Sequence, residues 1–379
     1  MKRRVVLSAS CAVVLGCAAS SGFSQTVRRT GPIKVGQSAP LSGSMAGVGA
    51  AVRDSAAAVF ADFNAAGGLR GRQLELVSLD DEDRSERTAV NVKLLTAQHD
   101  VTALFGFVGA GSHRAGARGA ADEKLAYVAP VSGSHELRAA TARGVHNMRA
   151  SHLDEITYIV RHTHQIGIRR LSLVTEYNPQ GWELRDGLID ALQTHGQKVA
   201  SLGSVDSEAN PLAIAEMVTA LLAPAPDAIL LGANHVASAG VVAAARKAGF
   251  NGLFYTLSTV GGSALIQRLG PLAAGLSVTQ VVPFPWVGAT AVSRDFQAFC
   301  GRHKLSLSFL GMEAYLSANL LVDAIRGTRD GTPEQLAQAL DSAAMRDFGG
   351  FVGAFYAHMR RAPAQIDLTV YSASGRFVR

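Results

Sequence analysis

The chain has 379 residues, 48% of them hydrophobic and 17% charged, which is enough apolar material for two ordinary domains and too much for disorder throughout. Its formal charge of +6 drops to about +3 if Lys2, Arg3 and Arg4 leave with a leader, and the remaining Arg and Lys are scattered, so no nucleic-acid partner is expected. Glycine is frequent (39 residues) and aromatics are sparse (6%), a mix that suits an α/β chain with many tight strand-to-helix turns.

Residues 1–24 read as an export signal: "MKRR" is a positive start, and "VVLSASCAVVLG" is an apolar core too short to span a bilayer. Its end has two readings. "VVLGC" resembles a lipoprotein box at Cys17, and "AASSGFSQ" offers ordinary cleavage sites. Either way the mature chain is expected in the periplasm. Of Cys11, Cys17 and Cys300, only Cys300 lies outside the leader region, so no internal disulfide is expected. Cys300 sits in the helical pattern "SRDFQAFCGRHK" and is expected to be a packed small hydrophobe.

The mature chain then alternates strands and helices. "IKVGQSAP" is a strand, and "SAAAVFADFNAAGG" is a helix stopped by Gly67–Gly68. "RQLELVSLDDED" is a strand with a solvated acidic end. Ser85 is the expected N-cap of the helix in "SERTAVNVKLLTAQHD". "VTALFGFVG" is a buried strand, Ser112–Lys124 is helical, and "AYVAPVSG" is the next strand. The rhythm restarts with "HLDEITYIVRHTHQIG" and runs through the strands "RRLSLVTEY", "KVASLGSV", "DAILLGAN" and "LFYTLSTVG", each followed or preceded by a helix. Two βα series imply two lobes with parallel sheets, whose ligands bind beyond the carboxyl ends of the strands. A third region carries the strand "LSVTQVVPFPW", helices at 291–304, 310–327 and 332–342, and a closing antiparallel pair, "FGGFVGAFY" with "QIDLTVYSAS".

The glycine-rich run "FGFVGAGSHRAG" matches no phosphate loop. Gly111 is followed by Ser112–His113 instead of Lys–Ser/Thr, and Gly116 falls two places late for the dinucleotide fingerprint. Two readings stay open: a helix N-terminus whose free N–H groups hold an anion, or a tight turn that needs glycine for geometry alone. His162 and His164 in "RHTHQ" are two apart and lack a metal-site spacing; "LDDEDRSE" lacks the glycine of a calcium loop. No cofactor or metal is expected.

Taken in order, "IKVGQSAPLSGSMAGVGAAVRDSAAAVFADFNAAGGLRGRQLELVSLDDEDR", "FGFVGAGS", "APVSGSHELR", "MRASHLDEI" and "DAILLGAN" resemble the leucine/isoleucine/valine-binding type of solute-binding protein that feeds ABC importers. The resemblance runs from Ile33 to the C-terminus. It implies the type I periplasmic binding protein fold: two doubly wound Rossmann-like lobes joined by three hinge crossovers, near Arg149–Ala150, Val278–Gln280 and Phe348. The lobes would be 31–149 plus 280–347, and 150–279 plus 348–379. It further implies that the chain is not an enzyme. The expected partners are a small carboxylate-bearing ligand (an amino acid, or an aromatic or hydroxy acid) and inner-membrane permease subunits, with the protein itself a monomer. Ala110, Gly111 and Ser112, with Ser132, Gly133 and Ser134, would hold the carboxylate, and Ser42 would also bind the ligand. In the second lobe Tyr177, Gln180, Asn234, His235 and Ser258 would face the ligand. Ser258 stands where amino-acid binders commonly have an acid, which disfavours an ammonium unless Glu176 or Glu313 reaches the cleft. A ligand sensor of the same fold is the alternative function, and a hydrolase using Ser112 and His113 is the third.

Overall fold

The computed structural model describes residues 31–379 except 140, 207, 209 and 356–364. The leader and the Cys17 expectation lie outside the described residues.

In the first lobe, strands β1 (Ile33–Ala39), β2 (Leu74–Asp80), β3 (Ala103–Phe105), β4 (Ala126–Val128) and β5 (Val145–His146) alternate with helices α1 (Ala46–Ala65), α2 (Ser85–Ala97) and α3 (Ala110–Asp122). The five strands form one parallel sheet in the order β2-β1-β3-β4-β5. The burial of β1, β3 and β4 explains their nearly continuous apolar runs. Ser85 opens α2 without capping it: Arg84 occupies the cap position, and the Ser85 hydroxyl bonds Glu86.

The second lobe follows with α4 (His152–Gln165), β6 (Leu171–Glu176), α5 (Pro179–Gln193), β7 (Leu202–Val205), α6 (Pro211–Leu222), β8 (Ala228–Gly232), α7 (His235–Lys247), β9 (Leu253–Thr256), α8 (Ser263–Leu269) and β10 (Leu276–Gln280). Local chemistry sets these helix starts. Ser151 and Asp154 form a reciprocal capping box on α4. Asn178, Asn210 and Asn234 cap α5, α6 and α7, with proline in the first turn of α5 and α6.

Helices α9 (Ala291–His303), α10 (Phe309–Arg326) and α11 (Pro333–Asp341) then pack against the first lobe. Phe296, Phe299, Leu316, Leu320, Leu321 and Leu336 pack there with Phe60, Phe63 and Phe105 in one core. Cys300 is buried in the same core as a free thiol, and burial pushes it up to about 11.

The closing strands differ from expectation. β11 (Arg346–Asp347) pairs with β12 (Val352–Gly353) in a hairpin of its own. β13 (Asp367–Tyr371) instead pairs antiparallel with β10 and with β14 (Phe377–Val378), completing the order β14-β13-β10-β9-β8-β6-β7. Phe351 and Phe355 belong to the first-lobe core, so the chain leaves that lobe after Phe355, later than the expected position near Phe348. The Gly349–Gly350 turn, with both φ positive, folds the hairpin back onto α9 instead of feeding it into the second sheet.

Candidate functional site between the lobes

Two hollows lie where the lobes meet. The smaller, about 30 Å³, is lined by His113, Ser132, Ser134, Gln180 and Glu183, among others. The larger, about 1290 Å³, lies between α1, α8, the start of α10, the 280–290 segment and the last strands.

Around the smaller hollow two of the donors expected to hold a ligand, the N–H groups of Gly133 and Ser134, already have protein partners. The Gly133 N–H donates to His152 Nε2 (3.1 Å), and the Ser134 N–H donates to Ser132 Oγ (3.2 Å). Glu183, from α5 of the second lobe, accepts from the His135 N–H (2.9 Å) and the Ser134 hydroxyl (3.4 Å). A carboxylate of the chain itself therefore sits at this turn and ties the lobes together. Burial raises the Glu183 carboxyl above its ordinary value, against the opposing pull of these hydrogen bonds. Burial and then the charges of Arg149 and Arg138 hold His152 well down, so it accepts as a neutral ring.

The glycine-rich run is bound up in packing. Gly109 adopts φ +103°, open to glycine, and a Cβ there would come within 2.8 Å of Asp83 Oδ1. A Cβ on Gly111 would meet Ser85 at 2.7 Å. The Ser112 hydroxyl donates to Asp81 (3.2 Å) and shares a hydrogen bond with Thr88 (2.8 Å). Asp81 is fully buried, also accepting from Ser38, and makes an internal junction, while Glu82 and Asp83 of the same acidic strand end are exposed as expected. His113 faces Tyr127, and burial followed by the charges of Arg149 and Arg138 pushes it down to about 3. Ser112 and His113 thus point to different partners, unlike a nucleophile and its base. Ala110 begins α3 beside them.

Of the remaining expected residues, Ser42 is exposed beside Asp80. Tyr177 is 71% exposed, edge-on to Trp182. Asn234 caps α7 and His235 starts it. Ser258 alone among the twelve lines the larger cavity.

That cavity has a polar floor and apolar walls. Arg149, just before α4, is 3% exposed. One guanidinium nitrogen, Nη2, donates to the Ser258 hydroxyl, while Nε and Nη1 are buried without a hydrogen-bond partner. Glu313 of α10 places Oε1 3.7 Å from Arg149 Nε and also lines the cavity. Glu155 of α4 accepts from the Ser258 N–H (2.8 Å), the Ser258 hydroxyl (3.0 Å) and the Thr279 hydroxyl. Burial raises both acids, while Arg149 opposes the rise. Two acids thus stand at this end of the cavity: Glu155 bonded to Ser258, and Glu313 in the lining itself. The walls carry Val48, Ile266, Val282, Phe284, Trp286 and Phe309.

A strand-by-strand arrangement of this kind matches a known family. The periplasmic binding protein model covers residues 32–375. The chain belongs to the periplasmic binding protein family. Solved structures bear out the leucine/isoleucine/valine-binding type. A possible leucine/isoleucine/valine-binding protein from Rhodopirellula baltica is 26% identical, with TM-score 0.82 over 94% of this chain and 98% of that one. A substrate-binding periplasmic protein from Ralstonia solanacearum is 28% identical, with TM-score 0.79 over 91% and 99%. A fatty acid ABC transporter substrate-binding protein from Thermomonospora curvata shares the fold at 20% identity, with TM-score 0.78 over 93% and 94%. No curated protein matches. The family is made up of substrate-binding proteins of ABC transporters. Among the described residues no helix of this periplasmic binding protein is long and apolar enough to cross a membrane.

Proposed function

We propose that this periplasmic binding protein is the exported receptor of an ABC importer, a monomer that closes its two lobes on a small carboxylate-bearing molecule and delivers it to the permease. The observation that carries this reading is the cavity between the lobes, with two buried Arg149 nitrogens, Nε and Nη1, that have no hydrogen-bond partner. A buried donor left unsatisfied costs about 1–3 kcal/mol, and more for a charged group, so a ligand that supplies acceptors gains that much. The leader-like N-terminus, with its positive start and short apolar core, supports export. The three passages between the lobes, after β5, after β10 and after Phe355, support closure as a hinge motion.

A thermal-shift screen across amino acids, aromatic acids and dicarboxylates tests the reading. A ligand present at 100 times its Kd adds about 2.7 kcal/mol to stability. Solution scattering at saturation should then show a smaller radius of gyration. If no carboxylate stabilised the folded protein, the reading would fail.

A further inference from the structure

We infer that Arg149 and Glu313 form the head-group site of the cavity, and that its ligand is an organic acid with a hydrogen-bond donor beside the carboxylate and an aromatic tail. The inference rests on the cavity being the ligand site.

The floor is a dipolar pair. Arg149 offers two donor nitrogens, Nε and Nη1, whose hydrogens no protein group accepts. Glu313 approaches Arg149 Nε at 3.7 Å, which is an ion pair but too long for a hydrogen bond, so it leaves those donors unsatisfied. Glu155 is different, since three donors from Ser258 and Thr279 already hold it. Two acids therefore share the charge of Arg149. Arg138 adds a further cation close by, but its guanidinium is spent on the carbonyls of Ser132, Ser134, Arg149 and Ala150. A bare anion placed on Arg149 would face Glu313 with nothing to offer it. An α-hydroxy or α-amino acid matches both members: its carboxylate accepts from Arg149, and its hydroxyl or ammonium donates to Glu313.

The tail follows from α10. Phe309 and Glu313 are four residues apart on this helix, so they share a face about 5–6 Å apart. Phe309 belongs to a ring cluster with Phe284 (5.8 Å between centroids), Trp286 (5.1 Å) and Phe377 (5.6 Å), and all four rings line the cavity. Edge-on arrangements of this kind present both ring faces and ring edges to an inserted aromatic group. A ligand whose ring lies one carbon beyond the substituted carbon spans from Glu313 to Phe309.

Calorimetry with four probes tests this: L-phenyllactate, its methyl ester, L-phenylalanine and 3-phenylpropionate. At least one of phenyllactate and phenylalanine should bind at least tenfold more tightly than 3-phenylpropionate, and the ester at least tenfold more weakly than phenyllactate. Arg149→Gln should weaken the bound acid at least thirtyfold. Glu313→Gln separates the two donors: it should cost phenylalanine at least tenfold and phenyllactate no more than threefold. Should Arg149→Gln fail to fold, the acid-against-ester comparison on the unaltered protein still decides the anion anchor. Equal binding of 3-phenylpropionate, equal binding of the ester, or a folded Arg149→Gln with unchanged affinity would overturn the inference. So would silence from all four probes while another carboxylate binds. Silence from every carboxylate would instead remove the reading on which the inference rests.

Discussion

The two hollows between the lobes, one lined mostly by polar side chains and the other walled by apolar ones, end in opposite states. At the smaller, every donor named in the Ser132–His135 turn is matched: Gly133 by His152, Ser134 by Ser132, His135 by Glu183. At the larger, Arg149 Nε and Nη1 are buried and without a hydrogen-bond partner, and the surrounding walls are apolar. Buried polar groups in folded proteins are nearly always paired, so a matched set marks structure and an unmatched set marks a place for something else. The difference teaches that a ligand-like motif, here a carboxylate at a glycine-containing turn, can be completed by the chain's own Glu183.

The strongest way to break this comparison is to add a methyl group on each side. In Gly133→Ala the new Cβ would lie 2.2 Å from His152 Cδ2 and 2.5 Å from its backbone N, so a loss of about 1–3 kcal/mol is expected. Gly47→Ala, in the first turn of α1 at the cavity, meets nothing within 4 Å, and replacing a helical glycine should stabilise by about 0.5–1 kcal/mol. Denaturant melts of both variants check the pair; equal effects would erase the distinction between a packed flank and an open one.

A change in pH sharpens it further. His113 and His152 are held neutral in the fold, whereas in the unfolded chain they take protons below about pH 6.5. Their contribution is therefore complete above that pH and lost as pH falls, by up to about 1.4 kcal/mol per pH unit for each ring. The raised carboxyls of Glu155, Glu183 and Glu313 have the opposite sign, adding stability as pH falls toward 4.5. The expected net result between pH 7 and 5.5 is a falling melting temperature. A flat or rising profile would give the carboxyls the larger share.

The smallest effect belongs to the interlobe tie. Glu183 is only half-buried, so Glu183→Gln should change stability by less than about 1 kcal/mol. Its proper readout is shape: scattering of the ligand-free variant should show a larger radius of gyration, because the tie at His135 and Ser134 weakens. An unchanged value would mean that closure at this flank depends on the His152 contact instead.

Much of this was legible from residue patterns. The alternation of apolar runs with helical segments gave the order of the strands from β1 to β10 except the two-residue β5, and the Asn–Pro pairs at 178–179 and 210–211 turn out to be the helix starts. The last strands were harder. "FGGFVGAFY" and "QIDLTVYSAS" both read as strands, but the positive-φ turn at Gly349–Gly350 and the burial of Phe351 and Phe355 hold the first in the other lobe. The polar floor was less legible still. Ser258 was found from its place at the end of β9. Its meaning changed with Glu155, which is distant in sequence and reaches it through α4. Arg149 sat inside a quoted motif, "MRASHLDEI", with nothing in its neighbours to show that two of its nitrogens would lack partners; that depends on Glu313, half the chain away.

Arg138 has a consequence for how the molecule moves. Its guanidinium grips Ser132 and Ser134 on one side and Arg149 and Ala150 on the other, four carbonyls on a single rigid plane. It links the turn that meets Glu183 to the passage that carries Arg149. A carboxylate that drew Arg149 toward the cavity would pull, through that plane, on the turn at the far flank. Filling one hollow and tightening the other would then be a single mechanical event.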